Sequence, residues 1–147
     1  MKSRWIMAAG PFLLIATTLA ACGETPGTVA EPRVIEVQTL DELRFDPDEV
    51  TVQVGETIRF VVTNPGEIAH EFVLGPEDVQ MAHEEAVEMG EMHEGMDVPG
   101  QLAALDVQPG QTKEATVSFD EAGEVPYGCH EMGHFDGGMV STVIVEG

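Results

Sequence analysis

Near the end of this 147-residue chain, Cys129 is followed by His134 and then by Met139, a spacing of Cys-x4-His-x4-Met. Thiolate, imidazole and a weak thioether are the donors of a mononuclear copper electron-transfer site, which also needs a second histidine. Thiolate and thioether suit Cu(I), and imidazole serves both oxidation states, so one mixed set lets copper cycle with little rearrangement. Gly133, Gly137 and Gly138 allow one short loop to fold back and aim three side chains at a single point.

The second histidine has to come from elsewhere in the chain, which offers His70, His83, His93 and His130 besides His134. His70 is the best placed. The turn signal Asn64-Pro65-Gly66 precedes it and a short apolar run, Phe72-Val73-Leu74, follows it, so it stands at the start of a strand where its position is fixed. His130 directly follows Cys129 and points to the opposite face if that segment is extended. A Cys-His thiol nucleophile is a poor alternative, because no acid or amide to orient the base is identifiable. Structural zinc sites rarely use methionine and usually carry more cysteines.

With these residues in view, the chain resembles the bacterial cupredoxins of the plastocyanin/azurin type. The resemblance spans residues 34–147, apart from an insertion at 76–100. It rests on Phe45-Asp46-Pro47, on Val50 to Phe60, on Asn64-Pro65-Gly66 ahead of His70, and on the Cys129 loop. It implies an all-β, cupredoxin-like Greek-key β-sandwich. It also implies one type 1 copper per chain, with His70, Cys129 and His134 in the trigonal plane and Met139 as the weak axial ligand. The carbonyl of Ala69 is a further ligand candidate by analogy with some relatives. There are two departures. Glu71 stands where relatives often carry a small polar residue that braces the cysteine loop, and His130 and Met132 offer an alternative ligand set.

The first residues bear on compartment. Lys2 and Arg4 give a positive start, Ile6 to Leu19 is mostly apolar, and Leu19-Ala20-Ala21-Cys22 follows. That pattern is a secretory signal over residues 1–21 with small residues at the cut. The cysteine directly after the cut resembles a bacterial lipoprotein box, which makes Cys22 the lipidated residue. The apolar stretch is shorter than the roughly 20 residues that span a bilayer. The expected location is the periplasm or cell surface, with the domain held to a membrane by its lipid anchor. With Cys22 lipidated, Cys129 has no disulfide partner, and a lone thiol in an oxidising compartment is explained by a metal bond. One loop cysteine also argues against a binuclear copper site, which needs two bridging thiolates.

Removing residues 1–21 takes away Lys2 and Arg4 and no acid, so the formal charge of −21 becomes −23. Nucleic acid is excluded as a partner, since phosphate contacts need basic patches. An acidic surface favours a basic redox partner, such as a cytochrome or an oxidase, and steers it at low salt. It also keeps the protein soluble.

Residues 22–33 read as a flexible tether. Short β-branched runs broken by turns follow at Val34–Leu40, Val50–Val54, Thr57–Thr63, Ile68–Leu74, Gln101–Val107, Thr112–Phe119, Glu124–Cys129 and Met139–Val145. Many short strands at this spacing indicate an antiparallel sandwich. The insertion from Pro76 to Gly100 carries no strand signal. Pro76 suits a first helical turn and Pro99-Gly100 stops the segment. Met81, Met89, Met92 and Met96 fall near one side of a helix, and the expectation is that they pack on the sandwich as gap fillers. The alternative is that His83, Met89, Met92, His93 and Met96 capture Cu(I) or meet a partner.

Two functions remain: an electron carrier shuttling one electron between envelope redox partners, and a copper-handling chaperone or resistance protein that uses the insertion. The carrier is the leading expectation. An enzyme is disfavoured, because a copper with four protein ligands keeps no open position for substrate.

Overall fold

The computed structural model describes residues 31–91 and 97–147. The expected signal, Cys22 and most of the tether lie outside the described residues, as do Met92, His93 and Met96.

The described chain forms nine strands and one helix: β1 (Arg33–Leu40), β2 (Arg44–Asp46), β3 (Glu49–Gln53), β4 (Glu56–Thr63), β5 (His70–Leu74), α1 (Glu77–Glu88), β6 (Ala103–Val107), β7 (Thr112–Phe119), β8 (Gly123–Gly128) and β9 (Val140–Glu146). They make two sheets, ordered β2-β1-β4-β7 and β3-β9-β8-β5-β6. Alternation decides which side chains meet between the sheets. Ile35 and Val37 of β1 and Ile58, Phe60 and Val62 of β4 face Val50, Val52, Phe72, Leu74, Tyr127, Val143 and Val145 from the other sheet. Aromatic rings run through this layer, Phe60 to Phe72 at 5.4 Å and Phe72 to Tyr127 at 5.1 Å between centroids. The Tyr127 hydroxyl, deep in the core, donates to the Pro47 carbonyl at 2.8 Å and ties β8 to the β2–β3 turn.

The sandwich is mixed where an antiparallel one was expected. β1 runs parallel to β4, and β3 runs parallel to β9. Both parallel pairs join strands that are not consecutive, so strand direction depends on how the chain crosses between sheets. Residue periodicity does not carry that information. The strand β2 was not foreseen either. It is three residues long and buries only Phe45.

The helix α1 begins after Pro76, which is the N-cap and not part of the first turn, and Glu77 and Asp78 stand at its positive end. It stops in a Schellman arrangement. The N–H of Gly90 meets the Val87 carbonyl at 3.0 Å and that of Glu91 meets the Ala86 carbonyl at 2.9 Å. Gly90 takes the left-handed conformation this needs, at φ 68°. The face turned inward carries Val79, Gln80, His83 and Ala86. Packing of the insertion through its methionines is not what the described part shows. Met81 and Met89 are each 58% exposed. Polar side chains take the inner face because they find partners there. The Gln80 amide donates toward the carbonyls of Val73, Gly75 and Pro126 at 3.1–3.3 Å. The helix thus covers the outer face of β5 and β8, which is why Val73 is as buried as its core-facing neighbours Phe72 and Leu74.

Candidate metal centre

The site forms where β5 begins and where the loop from β8 to β9 closes. The loop is stitched by its own backbone: Cys129 N–H to the Met139 carbonyl at 3.1 Å, Met139 N–H to that of His134 at 3.0 Å, and His134 N–H to that of Glu131 at 2.8 Å. Gly133 and Gly138 sit in the left-handed region, at φ 80° and 91°, where a side chain is strained. These turns carry His134 back beside Cys129.

One nitrogen of His70, Cys129 Sγ and one nitrogen of His134 all lie within 4.8 Å of one another. Sγ is 3.9 Å from His70 Nδ1 and 3.3 Å from His134 Nδ1. Metal–sulfur and metal–nitrogen bonds of about 2.3 and 2.0 Å arranged in a trigonal plane require a sulfur–nitrogen separation of roughly 3.7 Å. The observed distances straddle that value, so a copper-sized ion fits this group with small side-chain adjustments. His70 and Cys129 are fully buried, while His134 is partly exposed. Met139 is fully buried in the same cluster as Cys129.

The electrostatics suit a cation. Burial pushes the Cys129 thiol up to about 12, so a thiolate forms here only with a positive charge beside it. Its sulfur already accepts the Glu71 backbone N–H at 3.2 Å. Burial also lowers the His70 pKa, with the neighbouring His134 adding to the effect, which keeps the imidazole neutral and able to donate. A metal held here would take the place of the thiol proton.

His130 stands on the far side of the loop backbone from this cluster. Its Nδ1 lies 3.0 Å from Glu84 Oε2 and its Nε2 2.9 Å from Gln80 Oε1, so both nitrogens are engaged with α1. The ring is stacked between Phe135 at 4.6 Å and His83 at 5.3 Å. Met132 is 84% exposed and directed away from the protein. The alternative set of His130 and Met132 is therefore not assembled. His83 is buried with its Nε2 2.6 Å from Gln101 Oε1, away from the cluster. Burial first, then the nearby Glu131 and Asp106, pushes the Glu71 carboxyl up to about 7. Glu71 meets the cysteine loop through its backbone N–H, which donates to the Cys129 sulfur.

Sequence reasoning missed Asp41, whose Oδ1 lies 3.6 Å from His70 Nε2. It also missed Gln80 and Glu84. The only signal for Gln80 was a polar residue at a position that the helical period assigns to the buried face. No spacing rule pointed to Asp41, since it comes from a different loop.

The family described as copper binding proteins, plastocyanin/azurin family, matches residues 33–146. A copper-resistant cuproprotein CopI of Rubrivivax gelatinosus is 42% identical, the match covering 82% of this chain and 71% of that protein. A protein of the same name from Pseudomonas aeruginosa is 32% identical, covering 86% and 83%. Among solved structures, reduced auracyanin from Roseiflexus castenholzii superposes with a TM-score of 0.69 at 25% identity, covering 78% of this chain and 97% of that one. Auracyanin A of Chloroflexus aurantiacus, a blue copper protein, shares the fold with a TM-score of 0.68 at 24% identity, covering 78% and 99%. The matched span contains both sheets and every residue of the His70–Cys129–His134 cluster, and the chain belongs to the plastocyanin/azurin family of copper-binding proteins.

Proposed function

We propose that this protein handles copper in the bacterial cell envelope and protects the cell from excess metal. One copper is held by His70, Cys129 and His134, with Met139 as the weak fourth donor. The observation that carries the reading is the convergence of two imidazole nitrogens on one buried thiol within 4.8 Å. The choice of copper tolerance over electron carriage, which led on sequence alone, is supported by the relatives named copper-resistant, at 42% and 32% identity.

Bound copper supplies a one-electron couple in a site that favours neither oxidation state strongly. The protein does the rest. Burial excludes water from His70 and Cys129, the backbone turns of the loop hold His134, and the Glu71 N–H steadies the sulfur. The partly exposed His134 edge is where metal or an electron exchanges with the outside. Lipidation at Cys22 holds the domain at a membrane in this reading, and the site has no enzymatic role.

A second reading, one-electron transfer to a redox protein such as a basic cytochrome or an oxidase, is favoured by the likeness to an auracyanin whose structure was determined in a dithionite-reduced state. A complementation assay separates the two. In a copper-sensitive strain lacking the protein, the parent chain restores growth on elevated copper and Cys129→Ser does not. Full rescue by Cys129→Ser overturns the proposal. Loss of respiratory electron flow without any change in copper tolerance selects the carrier.

A further inference from the structure

We propose that Asp41 is a positioning residue for the copper site, its carboxylate fixing the ring of His70 with the proton on Nε2 so that Nδ1 is presented to the metal. The inference rests on the reading of His70 as a ligand. His70 is the most confined member of the cluster. Its ring is sealed from solvent, and its Nε2 finds no hydrogen-bond partner within ordinary distance among the described residues. The acceptor facing it is Asp41 Oδ1 at 3.6 Å. Nδ1, on the other side of the ring, faces Cys129 Sγ at 3.9 Å. A histidine in this position uses its second nitrogen to settle tautomer and orientation, and an anionic acceptor there strengthens the ring as a donor.

The carboxylate is itself built into place. It accepts the Glu67 N–H at 2.9 and 3.2 Å and the Ile68 N–H at 3.4 Å, both from the turn that leads into β5. Those bonds, the Glu67 one first, keep the Asp41 carboxyl below its usual range and anionic at neutral pH. The turn also leaves room for it. A Cβ added at Gly66 would fall on the Asp41 carboxylate. The Asn64-Pro65-Gly66 turn therefore positions His70 twice, through the backbone it leads into and through the carboxylate it cradles. An anion against the imidazole favours Cu(II) over Cu(I), so Asp41 lowers the potential of the site.

The test uses Asp41→Ala, Asp41→Asn and Gly66→Ala. The last keeps Asp41 but crowds its carboxylate out of the cradle. Nitrogen-15 NMR of the copper-free protein reads the His70 tautomer directly; a single Nε2–H form is expected in the parent and a mixture in Asp41→Ala and Gly66→Ala. In the copper-loaded proteins, Cu(II) affinity is expected to fall about 10- to 100-fold in those two variants. The potential rises by about 59 mV for each tenfold by which the Cu(II) loss exceeds the Cu(I) loss. Asp41→Asn keeps an acceptor without the charge, and its tautomer stays intact while its potential still rises. An unchanged tautomer and unchanged potential in Asp41→Ala and Gly66→Ala overturn the proposal, with the parent's copper–thiolate absorption leaving the ligand reading in force. A parent that takes up copper without that absorption, or with His70 free by NMR, overturns both.

Discussion

Glu71 joins the metal cluster to the protein's response to pH. Its backbone N–H points at the Cys129 sulfur, and its side chain sits among Glu131 and Asp106 on the outside of the sheet. Burial, aided by those two acids, raises its pKa from 4.5 to about 7 in the folded state. The folded protein therefore holds a proton that the unfolded chain has already released. The stability that this group contributes is fully present below pH 4.5 and is lost as pH rises through about 7. Glutamine cannot release a proton. For the metal-free domain, urea midpoints measured from pH 4.5 to 8 should fall with rising pH in the parent and fall less in Glu71→Gln. Identical slopes in the two proteins would remove Glu71 as the cause.

At the scale of elements, the unusual part is α1, a helix laid over the outer face of a sheet that in a plain sandwich meets solvent. It is fastened by polar groups. Gln80 reaches three backbone carbonyls of β5, β8 and the turn after β5, and its oxygen meets His130 Nε2 at 2.9 Å. Gly128 makes this approach possible, since a Cβ there would stand 2.8 Å from Gln80 Oε1 and 3.0 Å from the Phe135 ring. The helix and the Cys129 loop are thus attached at a residue next to the copper thiolate, but on the opposite side of the backbone. His130→Ala should leave the copper–thiolate absorption close to that of the parent. It should cost about 1–3 kcal/mol of stability by leaving buried partners unpaired, with faster amide exchange in α1 than in the sheets. A lost absorption band with α1 unperturbed would mean that His130 belongs to the metal site after all.

For the molecule as a whole, the proposed function turns on charge and on the proposed anchoring. The chain carries a formal charge of −21, and its described acids spread over loops and strand faces while the interior between the sheets stays apolar. In the proposed reading a lipid on Cys22 holds the protein at a membrane, with more than one acyl chain needed for stable anchoring. Cys22→Ser should move the protein from the membrane to the soluble fraction with its copper absorption unchanged. A Cys22→Ser protein that still sediments with membranes would show that another segment anchors it.

The candidate donors Cys129, His134 and Met139 could be named before any fold, because such a mixed set has few other uses, and His70 stood out as a histidine between a turn and an apolar strand; the structure brings His70, Cys129 and His134 together. The sandwich was legible for a similar reason. Burial alternates with period two along β1, β3, β4 and β9, and the residues show it directly. What required the tertiary structure was everything set by segments distant in the chain. The parallel pairing of β1 with β4 and β3 with β9 depends on crossings between sheets. Met81 of α1 and Met89 at its C-cap face solvent because Gln80 and His83 have bonding partners beneath the helix, a fact invisible from helical period alone. Asp41 meets His70 only because the β1–β2 loop folds over the Asn64–Gly66 turn, 29 positions separating two side chains that end 3.6 Å apart. Local chemistry is written in neighbouring residues, whereas the groups that orient it are chosen by packing, which brings together parts of the chain that carry no mark of one another.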